Sequence, residues 1–150
     1  MSLSEIQHLS PGDQLEVFNE LKDIYRQLEK ELDQIPRPCE ACGECCQFDK
    51  AEHRLYGSGL ELAFLNAHHP ISSKTESGSS PEDRCPHQKN GKCTVREHRL
   101  IGCRTYYRLH AKKDRILAEE AYERALDKVK CISNAKGLTW EYRDLMSLYR

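Results

Sequence analysis

Four cysteines in eight residues, Cys39-Glu40-Ala41-Cys42-Gly43-Glu44-Cys45-Cys46, constrain this chain more than any other feature. Two residues between cysteines let both sulfurs turn toward one metal ion, while the intervening amides can donate hydrogen bonds to the thiolates. Gly43 supplies the backbone freedom that such a knuckle needs. Three sulfurs at this repeated spacing suit a tetrahedral zinc with a fourth ligand from elsewhere, or three corners of an iron–sulfur cube. The competing reading is a set of small buried apolar side chains; a run this compact argues for metal instead. Neighbouring side chains tend to point different ways, so two adjacent sulfurs rarely serve one mononuclear metal. Cys46 addresses a second metal, bridges, or is a spare core thiol.

The missing ligands are available further along. Cys85-Pro86 and Cys93 flank Asn90-Gly91, a tight-turn dipeptide that would bring their sulfurs close, and Cys103 follows ten residues later. Cys39, Cys42, Cys45 and Cys46 are thus expected to meet Cys85, Cys93 and Cys103 at one site. Cys131 lies in a late helix, where a structural and a ligand role weigh equally. Among the seven histidines, His87 is the best additional ligand candidate. For His53, His68, His69, His98 and His110 a solvated or hydrogen-bonded ring is the better reading, and none is assigned to the metal.

Eight cysteines in a chain of 150 residues raise the question of redox compartment. Met1 to Leu9 has no basic start followed by an apolar run, and no stretch approaches the roughly 18 apolar residues of a membrane span. A cytosolic setting is therefore expected, where cysteines serve as metal ligands or redox thiols rather than as disulfides. The net charge of −1 gives no global pointer to nucleic acid.

One domain, 1–150, is expected, with a helix over 10–35, a metal-binding core over 39–106 and helices over 111–150. Ser10 can cap the first helix, Pro11 suits its first position, and Asp13 can close a capping box. Leu15, Phe18, Leu21, Ile24, Tyr25, Leu28 and Leu32 recur at helical spacing until Pro36 and Pro38 end the run. Phe18, Leu21, Tyr25 and Leu28 are expected to share a core with Val129 and Ile132. A short helix runs roughly from Leu60 to Ala67. Residues 71–83 read as a polar surface loop. Ala118, Ala121, Tyr122, Ala125, Val129 and Ile132 keep one face of a late helix, with Gly137 as its stop. Thr139 can then cap a final helix carrying Trp140, Leu145 and Leu148. Strand patterning is almost absent. The fold class is mainly α, with a loop-rich, metal-stabilised cysteine cluster between helices. Apolar residues are few between Cys39 and Cys103, so metal is expected to order that region.

The pattern C-x2-C-x2-C-C, then C-P, then C-x-[IV]-x3-R-x3-C-R-x-[YF] is carried here by Cys39, Cys42, Cys45 and Cys46, by Cys85-Pro86, and by Cys93, Val95, Arg99, Cys103, Arg104 and Tyr106. It resembles the CxxCxxCC zinc- or iron-chelating domain of the YkgJ-like cysteine cluster proteins. Arg96 and Leu100 stand where that family usually has Tyr and Pro, which bears on the turn before Cys103. The resemblance spans residues 39–106 and implies a metal domain. It does not by itself imply a reaction.

Three functions then compete. A small iron–sulfur protein, for example with a 4Fe-4S cluster, would move electrons or sense oxidants with a redox partner. A zinc-stabilised protein-interaction module needs only closed sites. A methyltransferase-like enzyme ranks last, because Gly57-Ser58-Gly59 follows no convincing strand. Arg99, Arg104, Tyr106, Tyr107 and Arg108 read as a supporting shell whose cations offset thiolate charge.

Overall fold

A computed structural model describes residues 3–35, 56–70, 85, 87–89, 92–105 and 112–145. Helices dominate it, as the mainly α reading requires. In chain order they are α1 (Leu3–Gln7), α2 (Pro11–Leu32), α3 (Gly59–His68), α4 (Ile101–Arg104) and α5 (Lys112–Ala135). The strands are β1 (Tyr56–Ser58), β2 (Gln88–Lys89), β3 (Lys92–Cys93) and β4 (Tyr142–Asp144), and a 3-10 turn covers Arg96–His98. The expected polar loop over 71–83 lies outside the described residues.

Helix α2 starts where its signals place it. The Ser10 hydroxyl accepts from the Asp13 amide at 3.1 Å, and Pro11 opens the helix. Its buried face is Val17, Leu21, Ile24, Tyr25, Leu28 and Leu32, with Phe18 at the margin. Leu15, expected on that face, is 61 % exposed. At 3.6 residues per turn it lies about 130° around the helix from the centre of the buried stripe, so Val17 takes the inward position.

The partner of α2 is α5, whose inward positions are Ala118, Ala121, Ala125, Val129 and Ser133. Small residues there let the two axes approach while the long aliphatic side chains of α2 fill the grooves. Lys136 pairs with Glu16 at 2.8 Å near the start of α2, and Arg124 lies 3.6 Å from Glu31 near its end. The order is reversed along the two helices, so they run antiparallel. Leu21, Tyr25, Leu28 and Val129 share one buried cluster, with Phe18 and Ile132 packed against it. At the end of α5, Gly137 adopts φ +69°; its N–H donates to Asn134 and that of Leu138 to Ser133, closing the helix with the left-handed stop that glycine favours.

Helix α3 is apolar nearly all round, which fits burial on every side. Leu60, Ala63 and Phe64 enter the cluster between α2 and α5, while Leu62 and Leu65 enter a second cluster with Val95, Leu100 and Leu145. One described part of the stretch expected to be poor in apolar residues therefore enters both apolar clusters. Counting apolar residues over the whole stretch from Cys39 to Cys103 diluted a dense ten-residue helix with polar flanks.

Two further expectations are corrected. No helix begins at Thr139. Its N–H and hydroxyl donate to the Glu5 carboxylate at 3.3 and 3.1 Å, fastening the chain after α5 to α1. Residues 142–144 then pair antiparallel with 56–58, Gly57 opposite Arg143. Leu145 still reaches the core by this route. The second correction concerns β1, which leads directly into α3. Its partner is antiparallel, so the Gly57-Ser58-Gly59 turn does not belong to a parallel strand–helix–strand nucleotide unit. Strands β2 and β3 form a hairpin with Lys89 opposite Lys92; Asn90-Gly91, which join them, lie outside the described residues. Among the described residues no helix is long and apolar enough to cross a membrane.

Candidate metal centre

Cys85, Cys93 and Cys103 fall in one apolar cluster. Cys85 and Cys103 are buried members of the second apolar cluster, and Cys93, at the end of β3, packs against it. The hairpin brings Cys93 back beside the chain of Cys85, pairing it with Gln88. The position of Cys103 is set by Glu61. Its Oε2 accepts from the Ser58 amide at 2.8 Å and the Ser58 hydroxyl at 2.9 Å, completing a capping box on α3. Its Oε1 accepts from the Ile101 amide at 2.7 Å. Leu100, at the start of α4, has no side-chain oxygen to offer, so a carboxylate from α3 caps α4 instead. One buried side chain thus ties the start of α3 to the short helix that carries Cys103.

Two buried arginines flank this helix. Arg104 donates to the Arg99 carbonyl at 3.0 Å, the Glu97 carbonyl at 2.8 Å and the Glu29 carboxylate at 2.8 Å. Its guanidinium also stacks 4.1 Å from the centre of the Tyr25 ring. Arg99 donates to the Arg96 carbonyl and lies 3.6 Å from Glu29. Arg99 and Arg104, expected to offset thiolate charge, are held by backbone carbonyls and by Glu29 of α2; Tyr106, Tyr107 and Arg108 lie outside the described residues.

Tyr25 carries the most informative polar atom of the site. The residue is 3 % exposed, and its buried hydroxyl has no hydrogen-bond partner among the described residues. Burial, followed by the Glu61 carboxylate, pushes its pKa well above the ordinary phenol value, with Arg104 opposing and Cys103 adding to the rise. The group is therefore a neutral O–H donor lacking an acceptor among the described residues, in the neighbourhood of Cys103. Buried donors are rarely left so, and a thiolate or a metal-bound sulfur is the kind of acceptor it lacks. The chemistry of these donors fits a thiolate-held metal. Among the described residues, however, no group of three or more His, Cys, Asp or Glu is arranged to hold one. Cys39, Cys42, Cys45 and Cys46, expected to complete the set, lie outside the described residues. Cys131 is exposed on α5.

Histidines gather beside this centre. His69 Nε2 and His98 Nδ1 are 2.9 Å apart, His68 stacks on His98 with ring centres 4.2 Å apart, and His87 meets the edge of His69 at 6.0 Å. Beside His98 an open groove of about 570 Å³ is lined by Lys22, Arg26, Lys30 and Arg104, by Glu29 and Glu97, and by Tyr25 and Phe64.

Sequence reasoning missed Glu61, Glu29, the Tyr25 hydroxyl and the His69–His98 pair. Only Glu61 left a readable signal, since Ser58-Gly59-Leu60-Glu61 ahead of an apolar run is a capping-box pattern. Comparison with protein-family models, with curated proteins and with solved structures finds no match.

Proposed function

We propose that the chain is a metal-binding cysteine-cluster protein. Cys85, Cys93 and Cys103 would contribute thiolates from the second half, and Cys39, Cys42, Cys45 and Cys46 from the first. One observation carries this reading: Cys85 and Cys103 are buried in one apolar cluster with Cys93 packed against it, and the buried Tyr25 hydroxyl, without a partner among the described residues, is close enough to Cys103 to feel its charge. The metal is zinc or iron, the latter including a 4Fe-4S cluster. A bound cluster would supply one-electron chemistry; zinc would supply folding energy. Arg99 and Arg104 would offset thiolate charge, and Tyr25 would donate a hydrogen bond to sulfur. The sequence pattern resembling the CxxCxxCC chelating domain supports the same reading, which would suit a reducing, cytosolic setting with a protein or redox partner.

The second reading is a zinc-stabilised interaction module, in which closed thiolate sites would only support the fold. Anaerobic purification followed by metal and sulfide analysis and a visible spectrum separates the two. A brown protein containing iron and acid-labile sulfide supports the redox reading, and a colourless zinc protein supports the module. A protein that binds neither metal stoichiometrically overturns both.

A further inference from the structure

His69 and His98 meet from different directions. His69 caps the end of α3, its amide donating to Leu65 at 2.9 Å. His98 ends the 3-10 turn, its amide donating to Val95 at 2.8 Å. Their facing nitrogens, Nε2 and Nδ1, stand 2.9 Å apart. Two nitrogens bound to one divalent ion at about 2.0–2.1 Å, at an angle between about 90° and 109°, stand about 2.9–3.4 Å apart. The two rings are hydrogen-bonded to each other, and their nitrogen spacing is also compatible with a cis pair of metal ligands.

The surroundings hold both rings in place. His68 donates from Nδ1 to the Phe64 carbonyl at 2.9 Å, and its ring lies nearly parallel to His98, at 18°. Parallel rings 4.2 Å apart cannot aim their in-plane nitrogens at one ion, so His68 positions His98 rather than sharing its metal. Phe64 packs against His98 from another side, with centroids 5.3 Å apart. Burial, with His68 and His69 adding to it, lowers the His98 pKa, which keeps the ring neutral and its lone pair available near neutral pH.

We propose that His69 and His98 form a second metal site, separate from the cysteines, that takes a borderline divalent ion such as Ni²⁺, Co²⁺ or Zn²⁺. The two imidazoles are the protein ligands, and water fills the remaining positions, since no third described His, Cys, Asp or Glu completes the sphere. Binding requires the donor ring to move its shared proton to its other nitrogen through solvent; no bond to carbon changes and no electron is transferred. A half-built, partly exposed sphere exchanges its ion readily, in contrast to a closed thiolate site. This site does not depend on what the cysteines hold.

The test uses the full chain as purified, with Ni²⁺ alone as the probe. Histidine acylation by diethylpyrocarbonate is mapped by peptide mass spectrometry with and without Ni²⁺, which needs no variant to fold. Selective protection of His69 and His98, with His8 and His110 unprotected, is expected. Uniform protection, or none at His69 and His98, overturns the proposal. Calorimetric titration of His98→Gln and His69→Ala, each checked for native circular dichroism, should show one saturable Ni²⁺ equivalent lost while the metal content of the cysteines is unchanged. Retention of that equivalent in both variants also overturns it. A wild-type protein that carries no cysteine-bound metal yet binds the Ni²⁺ equivalent at His69 and His98 would instead count against the proposed function alone.

Discussion

Replacing Glu61 probes the joint that sets Cys103. The side chain is 1 % exposed and receives three donors, the Ser58 amide, the Ser58 hydroxyl and the Ile101 amide. In Glu61→Ala the α3 cap loses its reciprocal half, the bond from the Ser58 amide. The Ser58 and Ile101 amides lose their acceptor, at about 1–3 kcal/mol for each donor left buried. Relief of the buried charge offsets part of this, leaving an expected loss of about 3–5 kcal/mol, a large share of the roughly 5–15 kcal/mol of an ordinary domain. Glu61→Gln keeps the shape and one oxygen, so it should cost about 1–2 kcal/mol, because its amide group must face one of the donors. Urea unfolding read by circular dichroism measures both. The pH dependence separates charge from shape. Burial raises the Glu61 pKa, opposed first by the Ile101 hydrogen bond and then by those from Ser58. The folded state then holds this proton more tightly than the unfolded chain, so wild type gains stability relative to Glu61→Gln as pH falls from the raised value toward about 4.3. A Glu61→Ala loss below about 1 kcal/mol, or a wild-type minus Gln difference that moves the other way with pH, would refute the role given to this carboxylate.

Tyr25→Phe should leave the stability of the metal-free protein within about 1 kcal/mol of wild type, because the hydroxyl has no partner to lose among the described residues; in the metal-loaded protein it should speed metal loss to a chelator, and equal release rates would remove Tyr25 from the site. Gly57→Ala places a Cβ 3.1 and 3.2 Å from the two Leu100 methyls, so thermal unfolding should show about 1–3 kcal/mol of destabilisation, partly relieved in the double variant with Leu100→Ala. Gly137→Ala meets no atom within 4 Å, so its cost, about 1–2 kcal/mol by the same assay, is that of the left-handed backbone alone; no measurable cost would contradict the φ of +69°.

What the sequence made legible follows from what is local. The Ser10-Pro11 start of α2, the buried stripe of α5 and the stop at Gly137 are written within a few neighbouring residues, and the structure follows them. Strands of three residues carry no period to read, so β1 and β4 were invisible, and Thr139 resembled a helix cap until Glu5, 134 positions away, took its donors. The histidine pair is a purely tertiary event, 29 residues apart in sequence and joined only because α3 ends against the 3-10 turn. Of the candidate centre, the sequence supplied the donors and their spacing. It could not supply Glu29 or Tyr25, which sit on α2 as ordinary members of an amphipathic helix until α4 packs against them.

The central claim is that thiolates from both halves of the chain hold one metal centre. X-ray absorption at the metal edge of the anaerobically purified protein tests it most directly. We expect a first shell dominated by sulfur, near ~2.3 Å if the metal is zinc, which loses sulfur both in Cys42→Ser and in Cys103→Ser. A first shell of nitrogen and oxygen only, or a sulfur shell unchanged by either substitution, would contradict it.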